Sequence, residues 1–380
     1  MSESKIQAEV DYYDIVRQKL ALGPLKYPKH EKILELMRVF WPDEETIKLL
    51  SYFPPAGQKI SLTELAEKSG LTPREVRKIL KTPVKKKTIS KVGKEYGLEP
   101  LVPGIFEAYF IACQDTPENL KKAAEIYRWY FKNASETHMI DKDFELFRPL
   151  LPITTKEQLI KIDASVDADS YVLPYELVED LINKNDFFAV IPCQCRLIGE
   201  LSGEPCEIAS SEMGCFITGR GAKAIASFGW GKTLSKEEAI EYLKETEKAG
   251  LVHCTTNSMG GEHLFFICNC CPCHCGVLKP TKDHRFKTVT PSNFQPKFNP
   301  ELCVECETCL KKCPMDAISH PEEGKLILNA ELCIGCGICA SNCPKNAITL
   351  EKVRDITPPK MKKIGNKLFM EMLAELLTSQ

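Results

Sequence analysis

Two stretches thirty residues apart repeat each other: residues 301–319 read ELCVECETCLKKCPMDAIS and residues 331–349 read ELCIGCGICASNCPKNAIT. Each spells CxxCxxCxxxCP, then two residues, then Ala-Ile. Three thiols at this spacing share one tight loop, and a fourth, just before a proline, is carried away on the start of a helix. No other feature of the chain narrows its fold so far. The chain has 19 cysteines among 380 residues and a formal charge of −2. Its N-terminus, MSESKIQAEVDYYD, lacks the basic, apolar, small-residue order of a secretion signal. Its apolar runs, such as FFAVIPC, fall far short of the roughly 20 residues that cross a bilayer. We therefore expect a cytoplasmic chain without membrane insertion. A disulfide scaffold is excluded there because thiols are kept reduced, and clustered thiols default to metal ligation. Such thiolate-rich sites favour an anaerobic host.

A loop of three cysteines at this spacing wraps three corners of an iron–sulfur cube, and the cysteine before the proline ligates the other cube. Residues 301–355 thus resemble a bacterial-type ferredoxin module with two [4Fe–4S] clusters. The resemblance implies one cluster on Cys303, Cys306, Cys309 and Cys343, and a second on Cys333, Cys336, Cys339 and Cys313. The copies differ at Glu305 and Glu307, where the second has Gly335 and Gly337. Added negative charge disfavours the reduced state, so the Cys303 cluster is expected at the lower potential.

Upstream lies a second concentration of cysteine. ICNCCPCHCG holds Cys268, Cys270, Cys271, Cys273 and Cys275, and IPCQCRLIGELSGEPCEIASSEMGC supplies Cys193, Cys195, Cys206 and Cys215. FFAVI reads as a strand ending at Cys193. LVHCTT and EHLFFIC read as a hairpin around NSMGG that delivers Cys268, so two strand ends present thiols side by side. Strand alternation would turn Cys268 and Cys270 one way and Cys271, Cys273 and Cys275 the other. One tetrahedral ion takes four ligands, and nine cysteines exceed that demand. A further iron–sulfur cluster, a structural zinc, and a reactive dithiol or plain packing remain open for them. The arrangement CxCR, GLVH, ICNCCPCHC is similar to that of ferredoxin-fused iron–sulfur proteins of anaerobic bacteria and archaea, over residues 170–355. His274 stands where that resemblance leads us to expect cysteine, and it reads as a ligand or a donor behind one.

Other signals are bland. GWGKT lacks the first glycine of a phosphate loop, and GRGAKA lacks a βαβ frame. Cys113 and Cys254 read as ordinary buried residues, and the remaining histidines as solvated or structurally hydrogen-bonded. SKEEAIEYLKETEKAG reads as a helix with a Ser235/Glu238 capping box and Gly250 at its end. The three prolines of TPSNFQPKFNP, residues 290–300, read as a linker.

Nearer the N-terminus, SLTELAEKSGLTPREVRKIL carries two helix starts, capped by Ser61/Glu64 and Thr72/Glu75, with Gly70 at the turn. It resembles a helix-turn-helix of the winged type over residues 30–105. Arg74, Arg77, Lys78, Lys81, Lys85, Lys86, Lys87, Lys91 and Lys94 make its second half basic, which would suit a DNA backbone or an acidic partner. We expect docking to a protein rather than DNA.

Together these features predict an α+β multidomain chain. It has a winged-helix-like region (1–110), a cysteine-rich central α+β domain (111–285), a ferredoxin-like 2[4Fe–4S] domain (301–355) and a C-terminal amphipathic helix (356–380). The expected function is to relay single electrons between a low-potential donor and an oxidoreductase partner protein, held loosely or in a stable complex. The alternatives are a redox-sensing DNA-binding regulator and an iron–sulfur oxidoreductase with its chemistry at the central cysteines. No nucleophile or acid–base pair stands out as catalytic.

Overall fold

Helix signals and strand alternation sort the chain into two units, seen in a computed structural model that describes residues 10–22, 25–137, 142–155, 178–257, 266–321 and 325–356. The first unit runs to Ile126; the second is built from Tyr127–Thr137 and the described residues of 141–370. The expected C-terminal helix lies outside the described residues, apart from Ile356. Among the described residues no helix is long and apolar enough to cross a membrane.

In the first unit, α1 (Tyr12–Lys19), α2 (Glu31–Phe40) and α3 (Glu44–Leu50) bury Val16, Ile33, Leu36, Phe40 and Leu50. Then come β1 (Ile60–Ser61), α4 (Leu62–Ser69), α5 (Pro73–Lys85), β2 (Ser90–Val92) and β3 (Glu95–Gly97), the strands pairing in the order β1-β3-β2. Gly70, left-handed at φ 70, ends α4, and Thr72 and Glu75 close a full capping box on α5. At α4 only half of the expected box forms. Ser61 Oγ accepts from the Glu64 amide, while the Glu64 carboxylate turns to Lys68 at 2.8 Å. Leu65, Val76 and Leu80 supply the shared inner face.

The basic segment is smaller than its sequence implies. Lys86 is buried against Asp115 at 2.8 Å, and Lys87 is buried too, its amine pushed down to about 8 by desolvation. Arg74, Arg77, Lys78, Lys81, Lys85 and Lys94 stay exposed. Helix α6 (Phe106–Ala112) ends at Cys113, which is left-handed at φ 47 and exposed rather than buried, its thiol donating back to the Phe110 carbonyl at 2.9 Å. Helix α7 (Pro117–Lys132) follows, and its later aromatic residues Tyr127, Tyr130 and Phe131 fill the core of the second unit.

After α8 (Ala134–Thr137), the second unit centres on a six-stranded sheet ordered β4-β8-β9-β6-β5-β7, antiparallel throughout. Its members are β4 (Phe147–Pro149), β5 (Phe188–Ile191), β6 (Cys215–Thr218), β7 (Lys232–Leu234), β8 (Val252–Thr256) and β9 (Phe266–Cys270). The helices between them are α9 (Val178–Asn183), α10 (Gln194–Leu201), α11 (Gly219–Phe228) and α12 (Lys236–Ala249). Alternate residues Phe188 and Val190 join Phe216, Ile267, Ala239 and Leu243 in one apolar cluster between the sheet and α12. Ser235, Glu238 and Gly250 cap α12 as expected. A strand does precede GRGAKA, yet β5, β6 and β7 pair antiparallel, so no βαβ frame forms.

After α13 (Leu278–His284) the supposed linker is structured. Residues Phe294–Phe298 form β10, paired with β13 (Ile348–Lys352) so that Phe294 faces Lys352 and Phe298 faces Ile348. Pro296 is tolerated because β10 has one partner only, leaving its other edge without a ladder to break. The same stretch is sewn to the sheet: Thr290 N donates to Phe147 O at 2.8 Å, and Asn257 Nδ2 donates to Thr290 Oγ1 at 2.9 Å. Between β10 and β13 lie α14 (Thr308–Lys311), β11 (Ile318–Ser319), β12 (Ile327–Leu328) and α15 (Ile338–Ser341). Phe294, Ile318, Ala340, Ile348 and Leu350 pack with Leu151 around Cys309 and Cys339.

Candidate metal centres

The repeat folds back on itself with its copies exchanging partners. Asn299 N donates to Ala347 O, and thirty residues on Asn329 N donates to Ala317 O, both at 2.8 Å. The side chains of Asn299 and Asn329 accept from the amides of Glu301 and Glu331. The structural repeat therefore begins at least four residues before the first cysteine of each copy, a signal that FNPELC and LNAELC carried.

This exchange collects the cysteines into two cavities. One, enclosing about 430 Å³ partly open to solvent, is lined by Cys303, Cys306, Cys309 and Cys343. The other, about 350 Å³ and also partly open, is lined by Cys333, Cys336, Cys339 and Cys313. In each, the amide four residues after the crossing cysteine donates to its sulfur: Ala317 N to Cys313 Sγ and Ala347 N to Cys343 Sγ, both at 3.2 Å. Such amide donors suit thiolate charge on the sulfur. Four sulfurs around a void, supported by N–H donors, fit a cluster of the size the spacing implies.

The two cavities differ in exposure. Cys306 and its neighbours Val304, Glu305 and Glu307 are exposed, whereas Ile334, Gly335, Cys336, Gly337 and Cys339 are buried. Glu305 and Gly335 share a left-handed backbone, at φ 53 and 70, and so do Glu307 and Gly337, at 56 and 73. A Cβ at Gly335 would overlap Ser292 Oγ and the Phe294 carbonyl, and one at Gly337 would lie 2.8 Å from Pro152 Cδ. The glycines are required because the second loop packs against the rest of the unit; the first loop faces solvent and admits side chains. Burial raises the thiols of Cys336 and Cys339, while hydrogen bonds from Thr308 lower that of Cys306.

In the central region, β6 lies between β5 and β9, so the two thiol-bearing strand ends are not adjacent. The inserted strand begins with Cys215 at the same end, opposite Ile191. Gly214 makes this approach feasible, since a Cβ there would overlap the Ile191 carbonyl. A closed ring of six thiols results. Each lies close enough to shift the titration of the next: Cys195 and Cys215 act on Cys193, Cys275 on Cys195, Cys270 on Cys275 and Cys268 on Cys270. Cys215 closes it on Cys268 at 3.9 Å. The expected alternation fails at Cys275, because β9 stops at Cys270 and a turn, with Cys275 N on Cys271 O, brings Cys275 back to the Cys270 side. Cys254, opposite Cys268 in the ladder and fully buried, is near enough to Cys270 for the two thiols to shift each other's titration. Its charge environment also includes Cys336 of the second cavity.

Cys206, Cys271 and Cys273 form a separate group with His274, their ligand atoms all within 4.8 Å of one another. Between this group and the ring sits Arg196, fully buried. Its guanidinium donates to the carbonyls of Ser210 at 2.9 Å, Asn269 at 2.8 Å and Met213. Burial opposes its charge, but Cys193, Cys271 and Cys215 outweigh that and raise its basicity. The neighbouring thiols of Cys206 and Cys273 lower Cys271 far below an ordinary thiol, with Arg196 adding to the effect. His253, by contrast, is structural: its ring nitrogens meet Asn269 Oδ1 at 2.8 Å and Glu247 Oε1 at 3.1 Å.

A doubled cysteine motif folded around two thiol-lined cavities defines an iron–sulfur module of the two-cluster kind. Residues 297–350 match the family model of the 4Fe-4S dicluster domain, and they form a ferredoxin-like 4Fe–4S module. No curated protein and no solved structure matches the chain.

Proposed function

We propose that the chain relays single electrons between a low-potential donor and an oxidoreductase partner, with two [4Fe–4S] clusters held by the two cysteine sets above and a further cluster at the central ring. The supporting observation is the continuity of thiols. Cys254 lies within the electrostatic influence of both Cys336, in the second cavity, and Cys270, a member of the ring. When bound, the clusters would supply one-electron chemistry. The chain's own part is to hold eight thiolates at two points, bury the loop around one site, leave that of the other at the surface, and offer backbone N–H donors to sulfur. Six thiols in the ring exceed what one tetrahedral ion takes, which favours a polynuclear occupant. The exposed cavity is the natural docking side for a redox partner.

Anaerobic iron and acid-labile sulfide analysis tests this. About eight irons per chain are expected from the module and about twelve with one more cubane. A colourless protein without iron would end the proposal.

One observation keeps a DNA partner in view as a second reading. The order β1–α4–α5–β2–β3 is what a winged helix would have, and α5 keeps Arg74, Arg77, Lys78, Lys81 and Lys85 exposed. Duplex binding that weakens steeply with salt would favour it; no binding near physiological ionic strength would remove it.

A further inference from the structure

The group beyond Arg196 is built differently from the ring, and the difference points to another occupant. We propose that Cys206, Cys271, Cys273 and His274 bind one divalent cation of the zinc class, at a closed site separate from any iron–sulfur cluster.

Spacing is the first argument. The four ligand atoms lie within 4.8 Å of one another, and Cys206 Sγ is 3.3 Å from Cys273 Sγ. Around a single tetrahedral ion with metal–sulfur bonds of about 2.3 Å, sulfurs sit about 3.8 Å apart. A cube holds its thiolates farther apart, because each is bound to a different iron. The cluster cavities of the module enclose hundreds of cubic ångströms; this group closes on a point.

The histidine is the second, independent argument. His274 is buried, and its Nε2 lies 2.7 Å from the Glu204 carbonyl, which can only accept. Nε2 therefore carries the proton, and the lone pair of a neutral ring falls on Nδ1. That atom is buried and has no hydrogen-bond partner among the described residues. A nitrogen lone pair kept from water beside three thiols, with the opposite ring nitrogen fixed by a carbonyl, is how imidazole is presented to a metal. The carbonyl is itself held: Glu204 carries its side chain to Arg128 at 3.0 Å and to Lys132 at 2.6 Å. Gly199 completes the fit, since a Cβ there would overlap the imidazole.

Three thiolates and a neutral imidazole around a dication leave one negative charge, and the Arg196 guanidinium beside Cys271 answers it. Soft sulfur with one nitrogen and no open position is a structural zinc set. Its work would be to fasten the loop after α10, which carries Cys206, to the turn after β9. The role assigned to iron elsewhere in the chain is not needed for this argument.

The test uses the full chain purified without oxygen. About one zinc per chain is expected, with a zinc-edge X-ray absorption spectrum showing three sulfurs at about 2.3 Å and one nitrogen at about 2.0 Å. H274A and C206S should lose the zinc while iron, sulfide and the paramagnetic signals of the reduced protein persist. Full iron content with no zinc in the native protein would overturn the proposal. So would loss of about four irons in either variant, because the group would then hold a cluster corner. If both variants prove insoluble, the absorption spectrum of the native protein decides alone. Zinc without iron would sink the electron relay and leave this site standing.

Discussion

Glu305 is the cleanest place to ask whether surface charge tunes the exposed cluster. It occupies the loop position that Gly335 fills in the buried copy, its backbone is left-handed at φ 53, and its side chain is exposed beside the cavity of Cys303, Cys306, Cys309 and Cys343. Its neighbour Glu307 is partly answered by Lys311 at 3.5 Å, so Glu305 gives the larger unscreened effect. Glu305→Gln removes the charge and keeps the shape. Taking the carboxylate at roughly 8 Å from the cluster in a water-like dielectric, the loss should raise the potential by about 20 mV, and by about twice that if the effective dielectric is halved. The sign follows because reduction adds an electron, and a nearby anion opposes it. The assay is an anaerobic redox titration followed by paramagnetic resonance, at low and high salt. The shift should shrink at about 1 M salt, where the screening length is about 3 Å. An unchanged potential, or a shift carried by the buried cluster, would refute the reasoning.

Two further substitutions probe the frame. Arg196→Gln leaves the carbonyls of Ser210, Asn269 and Met213 and the adjoining thiolates without their cation, and should cost about 3–5 kcal/mol, read from denaturant unfolding. Gly335→Ala drives a Cβ into Ser292 Oγ at a left-handed backbone; the conformation alone costs about 1–2 kcal/mol. The buried cluster should be lost in preference to the exposed one, with iron falling by about four per chain. Gly203→Ala, also left-handed but with open space around it, should keep all its iron.

The module was legible in the sequence because its ligands are spaced by short covalent stretches, which leave the local loops little choice. Caps were legible for the same reason: Thr72 and Ser235 reach amides only three residues away. The central cysteines were not, since their grouping depends on β6 entering between β5 and β9 and on a turn that returns Cys275 to Cys270. Alternation along one strand carries no information about either. Residues 290–300 misled for a physical reason. Proline marks linkers in general, but an edge strand tolerates it too, and only the partner β13 distinguishes the two. The burial of Lys86 likewise reflects a partner distant in sequence, Asp115, whereas the half-cap at Ser61 reflects a near competitor, Lys68.

The stitching of residues 290–298 has a kinetic corollary. Ser292 N donates to Ile334 O, Asn342 Nδ2 to Glu247 O and Lys312 Nζ to Lys248 O, so the sulfur-rich lobe is riveted to the end of α12, and through Thr290 to β4. A carrier on a tether would search, and its turnover would slow in viscous solvent as the swing slowed. In the proposed relay the spacing between successive stations would be set once, when the chain folds, and only the encounter with a partner would be left to diffusion.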